Sequence, residues 1–246
     1  MKTTLVLSLI FTFTASPAAR SAELPMVAAA TEPAEATEVN QPDSAAAPMT
    51  GSYVGMFGEN KITVQINKVV GSTVMGYSVV AGNERAFSGS FSHEGPTIRI
   101  EASEPGDHPE DGAFSFVFDP AAQILSGSWT PKNKKLAAKT FQLARRDFKY
   151  DPNLGSYPET STKLLTVADV ENVHSEELRL MRNEIYARHG YSFRLKEMRE
   201  YFDKEDWYMP VSTDVLNTLT KLEWSNEGLI KRYEKYAKEN YDSFGR

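Results

Sequence analysis

The side chains best equipped for chemistry lie close together in this chain: Arg182, Glu184, Tyr186, Arg188 and His189. A guanidinium, a carboxylate, a phenol and an imidazole can grip an anion, relay a proton or ligate a metal, depending on geometry. Spacing narrows the choice. On a helix, Arg182 and Tyr186 share one face at four residues apart, and Glu184 and Arg188 share another. Glu184 and His189 are five apart, which turns them about 140° from each other and works against a shared metal. No His-Glu-x-x-His spacing exists, and nothing marks a nucleophile elbow. An architectural account is equally coherent. In it Glu184 pairs with Arg188, His189 bonds the terminal carbonyls of its helix, Gly190 turns the chain, and Tyr191 and Phe193 pin the next segment. The expectation is therefore no catalytic residue, no metal and no cofactor. The five side chains stand as candidate binding residues, with a structural role as the alternative.

Two other charged groups compete for attention. Glu104, Asp107, His108, Glu110 and Asp111 sit in the Gly/Pro-rich stretch 103–112. Paired carboxylates can work on glycosidic bonds, and an oxygen-rich loop can hold calcium. The spacing is not that of an EF-hand, and a solvated acidic turn is the plainer reading. Residues 132–149 carry Lys132, Lys134, Lys135, Lys139, Arg145, Arg146 and Lys149 against one acid, Asp147. Such a run can meet an anionic glycan, lipid or phosphate polymer, or simply guard an edge strand.

The elements that must position these residues are set by patterning. Of 246 residues, 41% are apolar and 24% charged, enough for one large or two small cores. A net charge of −6 argues against nucleic acid as a partner. The absence of cysteine excludes disulfides, thiolate metal sites, thiol nucleophiles and a lipoprotein anchor. Residues 1–22 read as a signal peptide: Lys2, then the apolar run 5–13, then small residues allowing cleavage after Ala18 or Ser21. That run is far short of the roughly 20 residues a spanning helix needs. The mature chain is therefore expected outside the cytoplasm, periplasmic or secreted, with no stable membrane insertion. Residues 23–49 hold five acids, no base and several prolines, and read as a disordered acidic linker.

From 50 to 147 the period is two. Strands are expected at 51–57, 61–67, 72–80, 85–92, 96–102, 112–119, 123–130 and 138–144, with turn signals between them. Eight short strands predict a small antiparallel barrel or sandwich. Gly51-Ser52-Tyr53, Gly89-Ser90-Phe91 and Gly127-Ser128-Trp129 recur at an offset of 38 residues. The reading is that glycine bends the strand at its entry and the aromatic plugs the core. Residues 148–174 read as a linker whose apolar 164–167 adds a strand or docking turn. From Ser175, a candidate cap, to 240 the period is helical. Helices are expected from 175 to Gly190, near 195–203, and from Thr213 or Leu219 to Asn240. The fold class is thus α+β: a β domain, then a compact three-helix module.

Tyr186-Ala187-Arg188-His189-Gly190 is, letter for letter, the motif that names the YARHG domain. Leu180 to Ile185 before it, Tyr191-Ser192-Phe193 after it, then Tyr201-Phe202, Trp207-Tyr208, Asn226 and Tyr233-Glu234 extend a resemblance that covers about 175–236. The stretch 76–85 also resembles an uncharacterised β region found before such domains. The resemblance implies an extracellular or envelope protein of bacteria with no established activity. Three functions compete. The first is a non-catalytic envelope protein contacting cell-wall glycan or a protein partner. The second is a small-ligand carrier using a barrel lined by Tyr53, Phe57, Phe91, Phe116 and Trp129. The third is a cell-wall hydrolase.

Overall fold

The computed structural model describes residues 47–108 and 111–241. The expected signal peptide and nearly all of the acidic linker lie outside these residues. Eight antiparallel strands form a closed barrel: β1 (Gly51–Phe57), β2 (Asn60–Val70), β3 (Thr73–Val80), β4 (Asn83–Glu94), β5 (Thr97–Ser103), β6 (Gly112–Asp119), β7 (Ile124–Pro131) and β8 (Lys139–Arg145). Each strand pairs with its sequence neighbours, and β8 returns to β1 with Tyr53 opposite Arg145. Closure leaves no open edge among these strands.

Alternation sends Ile62, Val64 and Ile66 inward from β2, and Phe114, Phe116 and Phe118 inward from β6. The rings of Phe114 and Phe116 stack at 4.9 Å, and Phe141 meets both edge-on or tilted. The 38-residue repeat has a different physical cause from the one expected. Gly51 does open a strand, but Gly89 and Gly127 lie mid-strand. There a Cβ would come within 1.9 and 2.0 Å of the carbonyl oxygens of Glu101 and Ser115. Glycine is needed for close strand approach, not for entry. Its partners Tyr53 and Trp129 are in the core, with Phe91 packed against it.

The helical unit contains α1 (Glu159–Thr162), α2 (Ser175–Arg188), α3 (Lys196–Phe202) and α4 (Lys221–Asn240). Leu178, Met181 and Ile185 of α2 meet Ile230 and Ala237 of α4. Several local expectations change. Ser175 does not cap α2; His174 holds that position without a side-chain bond. The last helix starts at Lys221, because Thr220 and Glu223 form a capping box there, and 213–219 stays outside it. The stretch read as a linker is woven into the unit: Leu165 and Val170 join its core, and 167–169 is a short 3₁₀ turn, not a strand.

Barrel and helical unit belong to one compact body. Gly82 N–H donates to Ser192 Oγ (2.9 Å), and Arg194 Nε donates to Gly82 O (3.1 Å). Lys61 N–H donates to Asp203 (2.9 Å), and its Nζ to the carbonyls of Glu205 (2.6 Å) and Tyr208 (3.2 Å). Arg199 reaches Asn60 (2.8 Å), and Arg146 reaches the carbonyls of Asp206 and Trp207 (both 2.6 Å).

Candidate functional site

The end of α2 is dictated by its residues. Gly190 adopts φ +76°, the left-handed conformation that L side chains avoid. Gly190 N–H then donates to Ala187 O (2.9 Å), and Tyr191 N–H to Tyr186 O (3.0 Å), a Schellman closure. A Cβ at Gly190 would also sit 2.4 Å from Val211. Ala187 is buried against Phe193, Phe202 and Tyr208, where a larger side chain has no room to extend.

Arg188 turns inward and is fully buried, with 0% of its side chain exposed. Every nitrogen of its fork is engaged: Nε donates to Leu154 O (2.7 Å), and one terminal nitrogen to Thr160 Oγ1 (2.8 Å) and Ser161 Oγ (2.9 Å). The other donates to Glu184 Oε1, one helical turn back. Glu184 also accepts the N–H groups of Ser156 (2.9 Å) and Tyr157 (2.7 Å). Burial pushes its carboxyl up, against the pull of those donors and of Arg188.

His189 was expected on helix-terminal carbonyls. Instead its Nε2 faces Glu223 Oε2 at 2.9 Å, and Nδ1 faces Thr218 Oγ1 at 3.0 Å. The Tyr150 ring stacks on the imidazole at 4.4 Å. Glu223 is an acceptor only, so Nε2 carries a proton. The same Thr218 hydroxyl lies within donating reach of Val215 O (2.8 Å). Glu223 further accepts Tyr150 OH (3.0 Å), Ser161 OH (2.7 Å) and Thr220 N–H (2.8 Å). Burial pushes the Glu223 carboxyl up, but His189, Thr220 and Ser161 together bring it down to about 2. Both ring nitrogens thus face side chains of the same unit, which holds the imidazole inside it.

Arg182 and Tyr186 face the other way. Arg182 Nε donates to Glu234 (2.8 Å), and Tyr186 OH to Glu227 (2.9 Å). Together with His189–Glu223, these are successive rungs between antiparallel α2 and α4. Arg182 and Tyr186 also border an open groove of about 510 Å³, with Asn183, Tyr191, Leu195 and Leu216. Leu195 and Leu216 are 58% and 46% exposed.

The five candidate residues thus split: Glu184, Arg188 and His189 are internal, while Arg182 and Tyr186 edge a surface. Sequence reasoning missed Tyr150, Ser161 and Glu223, and it named Asn226 only as part of the family resemblance. Asn226 is fully buried, accepting Leu165 N–H and donating to the carbonyls of Thr160 and Lys163 (each 2.8 Å). The pattern Thr220-x-x-Glu223 was a visible helix-start signal that could have flagged Glu223. In the acidic stretch, Glu104 and Asp111 are buried, and Asp111 pairs with Arg85. Glu110 lies outside the described residues. Among the described residues no cluster of three or more His, Asp or Glu is placed to hold a metal. The cationic run is partly structural: Arg145 donates to the carbonyls of Pro48 and Thr50 (both 2.8 Å) and Arg146 to the helical unit. No described helix is long and apolar enough to cross a membrane.

In a comparison with known families the YARHG domain matches residues 156–236, so the chain carries that domain. The match begins two residues after Leu154, inside the stretch that supplies Arg188 with its acceptors. No curated protein matches the chain.

Proposed function

We propose that the protein is a non-catalytic binding protein of the cell envelope that holds cell-wall glycan against the groove beside α2. The YARHG domain is typically extracytoplasmic, and 1–22 has the pattern of an export signal. The observation that carries the reading is the split of the motif. Its ionic members are consumed inside the unit, which removes them from chemistry. Tyr186 and Tyr191 border an open groove with Arg182 and the buried Asn183. Aromatic faces next to hydrogen-bonding edges suit a ring that is apolar on its faces and hydroxylated at its rim. The exposed Leu195 and Leu216 widen that surface.

The test is recovery on isolated peptidoglycan. Tyr191→Ala with Leu216→Glu lowers recovery well below that of the unmodified chain, with the thermal melt checked alongside. Equal recovery removes the groove from function. Recovery of neither protein, with capture of an envelope protein abolished by the same substitutions, replaces glycan by a protein partner.

A further inference from the structure

The barrel interior is filled along most of its length: Tyr53, Ile100, Phe116, Phe118 and Leu143 are fully buried. The exception lies at one mouth, where the turns β1–β2, β3–β4 and β7–β8 and the end of β5 surround a cavity of about 370 Å³. That volume falls within the range of about 300–1,000 Å³ usual for small-molecule sites, and barrel mouths are a common place for them. Phe57, Phe114 and Trp129 supply its aromatic walls.

Two charged groups at this mouth are not accounted for by the fold. Glu104 is only 4% exposed. Its Oε2 accepts both Gly112 N–H (2.7 Å) and Trp129 Nε1–H (3.2 Å), while Oε1 receives no hydrogen bond among the described residues. Burial pushes its carboxyl up, against the pull of Trp129, Gly112 and the nearby Arg85 charge. Lys139 stands opposite Trp129 in the β7–β8 ladder, with its ammonium 4.6 Å from the centre of the Phe57 ring. It pairs with no carboxylate among the described residues, whereas Arg85 at the same rim is already bound to Asp111. The site therefore presents an unmet acceptor, an unpaired cation and aromatic walls. One lip, the turn around Gly82, is clasped by Ser192 and Arg194 of the helical unit, which fixes the opening.

We propose that this mouth binds a small zwitterion of α-amino-acid type with a large apolar side chain, its ammonium on Glu104, its carboxylate on Lys139 and its side chain among Phe57, Phe114 and Trp129. A simple cation leaves Lys139 unpaired, and a simple anion leaves Glu104 unmet. This site is independent of the glycan groove.

Isothermal titration of the full chain with phenylalanine, phenethylamine and 3-phenylpropionate tests it. Phenylalanine binds, and each analogue, lacking one charge, binds at least about tenfold more weakly, as expected for loss of a charged hydrogen bond. Glu104→Gln keeps an acceptor for Gly112 and Trp129. It weakens phenylalanine at least about tenfold while leaving 3-phenylpropionate unchanged. Lys139→Met weakens phenylalanine and 3-phenylpropionate but not phenethylamine. If Glu104→Gln fails to fold by its melt, the Lys139→Met series against the three ligands decides alone. No binding of phenylalanine overturns the proposal, as does equal binding of all three ligands or an affinity indifferent to both substitutions.

Discussion

Phe114, Phe116, Phe118 and Leu125 are buried in the barrel among other apolar side chains, while Glu184, Arg188, His189 and Glu223 are buried as deeply at the α2–α4 junction. The first group gains from removal of apolar area, which has no direction and accepts substitutes of similar volume. The second group gains only while every donor meets its acceptor, and a vacancy leaves a charge unpaired. One region is therefore specified by pattern, and the other by residue identity. That difference explains why the helical unit carries a literal five-letter motif while the barrel carries only alternation.

The sharpest way to break this contrast is Arg188→Ala, which strands Glu184 and the Leu154 carbonyl. It should cost about 3–5 kcal/mol in urea unfolding, and a loss under about 1 kcal/mol would make the network ornamental. Acid probes the same junction. The Glu223 carboxyl is held below its unfolded value of about 4.3, so its contribution is complete above that pH and disappears as pH falls toward about 2. In Glu223→Gln the melting temperature should lose that part of its acid slope. Gly190→Ala puts a side chain at φ +76° against Val211 and should cost about 1–3 kcal/mol by the same unfolding assay. Phe116→Leu in the barrel, a swap of pattern-conserving kind, should stay under about 1.5 kcal/mol. Smallest is Tyr150→Phe, which removes one of the bonds to Glu223 and should cost about 0.5–1.5 kcal/mol. A reversal of order between Phe116→Leu and Arg188→Ala would end the comparison.

The eight strands were legible because, apart from the β1–β8 closure, each pairs with its chain neighbours, so period and turn residues carry nearly all the topology. Their ends were less so. β2 runs on through Lys68-Val69-Val70 beyond a register shift between Ile66 and Lys68, and β4 through His93-Glu94, where ladder bonds continue without an apolar signal. Alternation alone also left barrel and sandwich open, since closure depends on the β1–β8 pairing across the whole segment. At the candidate site, the Glu184–Arg188 pair was readable from spacing of four. The partners from 154 to 161 were not, because they come from a Pro/Gly-punctuated stretch whose composition reads as a connector. His189 went to Glu223 because the antiparallel packing of α2 on α4 brings a carboxylate to it, and a carboxylate is a stronger acceptor than a terminal carbonyl.

The seam between β1 and β8 has a genetic consequence. Arg146 N–H bonds Ser52 O at 2.9 Å, so the barrel's first and last residues lie side by side. A segment whose two ends touch can be excised from one gene and spliced into a surface loop of another host without stretching either. Moving the barrel together with its partner would require keeping the bonds at Lys61, Gly82, Arg146 and Arg199 that join the two.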